Sequence, residues 1–516
     1  MIRSLPYLIF ALVTCCFLLA PGVWWGDSLN AYIQTVTGVY GTAQPIFMAL
    51  FLGITGAILP GTLIPFLVFI LLFYGGLALF VFRFVRNSYL AAAAFLCIGF
   101  FPPFLANIGV VQTETLQLAV LSLFVAATLA FYSYTGKWRW LFFTGLVCLL
   151  TVFSVVRYDT PQVSLLLSYW LAYTFIRKHN RKVAGITILL FVFFKLASLY
   201  LDNTAKIEQS LRAEMRNSLM VTDIAAISAQ SKINYVPDYC WQPYLPSSER
   251  TVEKIAYGQD HPLWRYAFYS YIYSIDPSLG LFCYNTRTHT ADLFFTWVKV
   301  VFKHPFLFAK YHLRVFFYLV FNDFYNMGIL SGLKDAYINR AALNVEKTED
   351  VRSFLERHRS RFNYNEGKLY LAQDNVPISV AEEKELLKLV DSRRASDVSW
   401  MKWYSAVPLK TYTTVNPIAQ KYMNPFFEWF RKWMRPFCFI FPYFLLLLTL
   451  LPLYRWIKPG YYRFTFFVLC GCGILHLLLR IFILTDPVYR FGMITILFSF
   501  FAVILLYCGK TQSMPE

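Results

Sequence analysis

Apolar runs approaching twenty residues recur through both ends of this chain, and no other feature constrains its fold as tightly. A helix needs about 20 apolar residues to cross a hydrocarbon core, and inside a bilayer every backbone hydrogen bond must be made internally. Spans are expected near 5–24, 66–82, 88–105, 115–133, 140–156, 161–176, 183–200, 436–454, 464–483 and 491–508. The chain is 58% hydrophobic and 15% charged, with a mean hydropathy of +0.49. An ordinary soluble enzyme, at about 25% charged residues, is excluded. The expected fold class is an all-α polytopic membrane protein of about ten transmembrane helices, with a large mixed, mostly helical extracytoplasmic loop domain between helices seven and eight.

Three blocks follow. Residues 1–200 form an N-terminal transmembrane bundle, 201–435 an extracytoplasmic loop domain, and 436–516 the C-terminal transmembrane helices. Met1–Ala20 is read as a retained first helix rather than a cleaved signal peptide, because no small-residue cleavage site stands out before Pro21. The segment 41–62, with Pro45 and Pro60 at its edges, reads as an outer-surface or re-entrant helix. Near 291–322, Lys299, Lys303, Lys310 and Arg314 interrupt the apolar character and Pro305 breaks it, so two membrane-surface helices are expected. Residues 424–435 read as an aromatic and basic collar. Within 331–400 the charge patterning is that of solvated helices.

Sidedness follows from the cations. With the N-terminus in the cytoplasm, the short inner loops collect thirteen Lys and Arg, while the short outer loops hold only Arg157 and Arg490. The net charge of +18 is therefore mainly topological, and no nucleic-acid partner is implied. The long loop carries 30 of the 47 basic and 24 of the 29 acidic residues. Its small positive excess suits anionic headgroups or glycans. Of the ten cysteines, only Cys240 and Cys283 lie in that loop. A disulfide in an oxidising compartment and two free thiols are both open readings.

Outside the long loop the acids are Asp27, Glu114, Asp159, Asp486 and the terminal Glu516. The first four fall at span ends on the outer side, and a carboxylate beside hydrocarbon is costly enough to suggest function. Trp24-Trp25-Gly26-Asp27 follows the first span. There Asp27 is either a helix cap or a base for an acceptor hydroxyl. Thr113-Glu114 opens the fourth span, where a first-turn Glu suits the helix dipole. Arg157-Tyr158-Asp159 turns between spans five and six. Arg157 is suited to a phosphate or to a salt bridge with Asp159 or Glu114. Asp486-Pro487-Val488-Tyr489-Arg490 joins the last two spans, with Arg480 and His476 deeper in the ninth, where such groups face polar cavities more often than lipid. Asp223 is a helix cap or an acceptor contact.

The order of these features resembles the GT-C superfamily of integral-membrane glycosyltransferases, which includes protein O-mannosyltransferases and the lipid A aminoarabinose transferases. The shared elements are a first-loop acid (Asp27), a surface helix (41–62), a T-E turn (Thr113-Glu114), a long outer loop (201–435) and a late Tyr489-Arg490 turn. The resemblance implies a polyprenyl-phosphate-linked sugar as donor and an inverting single displacement. By position, Asp27 is then the general base and Glu114 orients the acceptor or sugar. Arg157 and Arg490, with Arg480, neutralise the departing lipid phosphate. Asp159, Asp486 and Tyr489 support those arginines, while His476 and Asp223 take supporting or acceptor-side roles. The better-known members place many spans, or a soluble domain, after the long loop; this chain departs from that pattern, which leaves the acceptor open among glycan, lipid and protein.

Two other readings remain. An O-antigen polymerase or ligase would lean on loop arginines and tolerate loss of Asp27. A transporter or flippase for lipid-linked sugars would carry charges deep in several spans and an approximate repeat; neither is evident in the sequence. No cofactor is assigned. A divalent ion between Asp27, Glu114 and a diphosphate is the less favoured arrangement.

Overall fold

The computed structural model describes residues 2–24, 31, 34–35, 46–59, 61–157, 161–176, 180–204, 209–241, 250–252, 289–321, 362–365, 368–371, 376–377, 419–483 and 492–511. Those residues are mainly helical. The first half runs α1 (Leu5–Leu19), β1 (Val23–Trp24), α2 (Ile46–Ile58), α3 (Leu63–Phe84), α4 (Ser88–Gly99), α5 (Pro102–Ile108), β2 (Val110–Val111), α6 (Thr113–Tyr132), α7 (Arg139–Val155), α8 (Pro161–Ile176) and α9 (Asn180–Thr204). The loop region contributes α10 (Gln209–Ser231), α11 (Thr290–Lys303), α12 (Pro305–Phe321) and the strands β3 (Phe362–Asn365), β4 (Lys368–Leu371) and β5 (Val376–Pro377). The chain closes with α13 (Asn424–Trp433), α14 (Phe441–Leu450), α15 (Tyr461–Ile483) and α16 (Met493–Thr511).

Among the described residues, three helices are suited by length and composition to crossing a membrane: α3, α6 and the Tyr461–Leu478 part of α15. The pair α4–α5 makes a fourth if counted as one broken span. Further apolar helices, including α1, α2, α7, α8, α14 and α16, are shorter. Full-length spanning helices are thus fewer than the ten apolar windows in the sequence. The window near 88–105 shows one reason. It bends by 59° between α4 and α5, where Pro102 and Pro103 supply no N–H to continue the ladder. The window near 436–454 shows another, because α14 is followed by a tighter turn over Leu451–Trp456 containing Pro452.

The core is centred on α3 and α6. A Cβ on Gly76 would lie 2.4 Å from both Leu123 N and Ser122 C, so the two backbones approach as only glycine permits. Ser122 donates to the Phe73 carbonyl at 3.0 Å. Cys15 of α1 donates to Tyr74 (3.1 Å), whose hydroxyl donates to the Gly99 carbonyl (2.8 Å). The last helices join the same core. Trp170 donates to Thr465 at 3.1 Å, Tyr132 stacks on Tyr461 at 3.6 Å, and Phe80 stacks on Phe501 at 4.1 Å. Residues before and after the long loop therefore build one bundle.

The loop region contains a second, smaller core. It joins Met220, Val221, Ile224 and Ala225 of α10 to Val236, Cys240, Trp241 and Leu293. α12 links it to the bundle, since Ile440 N donates to the Val320 carbonyl at 3.1 Å and Phe321 packs on Phe441 at 4.6 Å. Residues 362–377 contribute a three-stranded antiparallel meander, β3-β4-β5, between two stretches of helical charge patterning that lie outside the described residues. The outer-surface helix expected over 41–62 corresponds to α2, which leaves Ile54 and Ile58 exposed.

Candidate functional site

β1 and β2 pair in parallel, Val23 with Val110 and Trp24 with Val111. This two-residue ladder joins the end of the first helix to the segment that opens α6. Trp24 precedes Asp27 by three residues, and Val111 precedes Glu114 by three. The segment 102–120 is buried throughout, which is the condition under which broken helix and strand backbone are tolerated at membrane depth.

The turn before α6 is a closed hydrogen-bond network. Asn107 donates to the Pro103 carbonyl (2.8 Å) and accepts from Gln112 Nε2 (3.1 Å). Thr115 donates to the Asn107 carbonyl at 2.9 Å. Gln112 is the N-cap residue, in extended conformation, yet its side chain serves Asn107 rather than the helix. Thr113 Oγ1 donates to Glu114 Oε2 at 2.9 Å. Arg157, just past the end of α7, forms an ion pair with Glu114 Oε1 through Nη1. The carboxylate thus has a partner on each oxygen at a helix N-terminus, where the exposed N–H groups favour negative charge. The salt bridge to Glu114, one of the sequence readings for Arg157, is formed; Asp159 lies outside the described residues.

Asp27, Asp159, Asp486, Tyr489, Arg490 and Cys283 lie outside the described residues, and Arg480 is described only as backbone within α15. His476 is 2% exposed. Its Nδ1 lies 3.4 Å from Thr495 Oγ1, which donates to the Gly473 carbonyl at 3.0 Å. His476 is thus placed at the contact between α15 and α16.

Asp223 does not cap a helix; it lies in the second half of α10. Its Oδ1 is 3.1 Å from His312 Nε2, and its Oδ2 accepts from Trp297 Nε1 at 2.9 Å. Asp223 and His312 are both buried, so one carboxylate ties α10 to α11 and α12. Sequence reasoning missed Trp297 and His312. No local signal pointed to them, because both partners reach Asp223 from helices distant in sequence. Nearby, Tyr235 OH lies 2.8 Å from His304 Nε2, and Tyr239 OH donates to Asp292 Oδ2 at 2.8 Å. Cys240 is buried with a free thiol, and burial pushes its ionisation upward. Among the described residues, no group of three or more His, Cys, Asp or Glu is arranged to hold a metal.

Compared with protein-family models, curated proteins and solved structures, the chain matches none of them.

Proposed function

We propose that this protein is a multi-pass membrane glycosyltransferase. It moves a sugar from a polyprenyl-phosphate carrier to an extracytoplasmic glycan, lipid or protein acceptor. In this reading about ten helices span a bacterial inner membrane, the N-terminus is cytoplasmic and the four outer acids share the extracytoplasmic face. The observation that carries it is the parallel pairing of Val23-Trp24 with Val110-Val111. That register ties the stretch leading to Asp27 to the stretch leading to Glu114, although the two are distant in sequence.

The chemistry is an inverting displacement. The acceptor hydroxyl gives its proton to the Asp27 carboxylate as its oxygen attacks the anomeric carbon. The bond from that carbon to the phosphate oxygen breaks, and its electron pair leaves with the lipid phosphate. Arg157, Arg490 and Arg480 supply positive charge to that leaving group. Glu114 holds Arg157 at the N-terminus of α6, so it positions the arginine as well as facing the acceptor. Asp159, Asp486 and Tyr489 support the cations.

The test is transfer by purified Asp27→Asn protein in detergent, against wild type, from a panel of polyprenyl-phosphate sugars to envelope extract. Loss of a positioned base should cost about 10²–10⁴ in rate without altering the melting temperature. Retention of most of the wild-type rate would sink the mechanism. If wild type transfers nothing from any donor, the glycosyltransferase reading fails.

A further inference from the structure

Among the described residues, α11 and α12 each leave one face uncovered. Their inner faces carry Leu293, Val300, Tyr311, His312 and Phe316, all buried. On the opposite side Phe295 is 69% exposed, Phe302 81%, Phe306 86%, Leu313 43% and Phe317 51%. Within α11 the exposed rings are seven apart (Phe295, Phe302), and within α12 the exposed side chains step by seven and four (Phe306, Leu313, Phe317), so each helix carries its own exposed apolar face. Phenylalanines this open, arrayed along one face, mark a contact surface rather than incidental exposure.

The charge on that face says what covers it. Lys299, Lys303, Lys310 and Arg314 are exposed among these aromatics, and residues 293–321 contain no Asp or Glu. Lys303 rests over the Tyr235 ring at 5.1 Å; the other three cations lie along the open stripe. Interleaved phenylalanine and cation matches the boundary of a bilayer, where rings enter the acyl region and ammonium or guanidinium groups meet phosphates. The far end of α12 is already fixed to the apolar bundle through Val320 and Phe321. The one acid beside the stripe, Asp292 at its start, accepts from Tyr239 within the chain, and no acid follows it through residue 321 to complement the cations of a second copy.

We infer that α11 and α12 form a docking ledge selective for anionic phospholipid, and that the Asp223 contacts to Trp297 and His312 set its rotation so that the stripe faces the lipid. The selecting side chains are Lys299, Lys310 and Arg314, and the aromatic rings beside them fix the depth of the ledge. It does not depend on what reaction the bundle catalyses.

The experiment uses the full chain with p-benzoylphenylalanine in place of Phe302 or Phe306. The protein is reconstituted in phosphatidylcholine vesicles containing a minority of phosphatidylglycerol, irradiated, and its adducts identified by mass spectrometry. Phosphatidylglycerol adducts should exceed that lipid's share of the bilayer by about threefold or more at low salt. Added salt should reduce the excess. The combined Lys299→Gln, Lys310→Gln and Arg314→Gln variant should bring it down to the bilayer share. All three side chains are exposed, so the variant should keep the wild-type elution volume. If it does not, the salt dependence in the parent decides alone. Adducts that follow the bilayer share in the parent, or adducts to the chain itself or to another copy, overturn the inference.

Discussion

Arg157 reaches from the end of α7 to the carboxylate of Glu114 in the first turn of α6. The pair fastens two helices at the point where β1 and β2 bring the first loop against the bundle. It also gives Glu114 a duty that can be separated from any contact with substrate.

Removing both members of this pair should cost less than the sum of removing each. A lone buried charge costs about 3–5 kcal/mol, whereas the double variant leaves no uncompensated charge. Glu114→Gln and Arg157→Gln are each expected to lower the unfolding free energy in detergent. The double variant should fall short of their sum by about 1–3 kcal/mol. Strict additivity would show that the two side chains act independently.

Two adjacent glycines should behave oppositely. A methyl on Gly76 meets the α6 backbone, whereas one on Gly75 meets nothing within 4 Å. Gly76→Ala should destabilise by about 1–3 kcal/mol. Gly75→Ala should be neutral or stabilise by about 0.5–1 kcal/mol through helix propensity. Thermal unfolding of the two single variants is sufficient, and equal effects would contradict the α3–α6 packing.

The Asp223 clasp should act locally. Asp223→Ala leaves His312 and Trp297 without their acceptor, a loss of about 2–4 kcal/mol. Hydrogen exchange is expected to rise across α10 and α12 while α3 and α6 keep their protection. A uniform rise throughout the bundle would refute a local fastening.

Cys240 should resist maleimide in the native protein and react once denatured. Desolvation raises its ionisation above the ordinary thiol value of 9.0, so little thiolate forms near neutral pH. The sign follows. Below that value the thiol is neutral in both states; above it only the unfolded chain ionises. Its contribution to stability is therefore full below pH 9.0 and declines as pH rises beyond it. Rapid native labelling at Cys240 would contradict its burial.

Much of the bundle was legible in the sequence because its signals are local. Apolar length and the Thr113-Glu114 turn depend on neighbouring residues, and α3, α6 and the start of α6 at Thr113 follow, whereas the span expected over 88–105 breaks at Pro102-Pro103. The less legible features depend on contacts between distant positions. Nothing near Asp223 announces His312, and the helix-cap reading failed because the carboxylate answers to tertiary partners rather than to the end of its own helix. Arg157 was read with two candidate partners, and only packing distinguishes a span-end cation that meets a neighbouring helix from one that faces outward. The pairing of β1 with β2 has no sequence signature, since two-residue strands carry no alternation to detect.

That short ladder also bears on biogenesis. Val23 emerges from the ribosome well before Val110, with α2, α3, α4 and α5 between them. The β1 segment cannot acquire its partner until the whole α2–α5 stretch has been synthesised, so a nascent chain stalled before β2 would hold Val23-Trp24 with no strand to pair with.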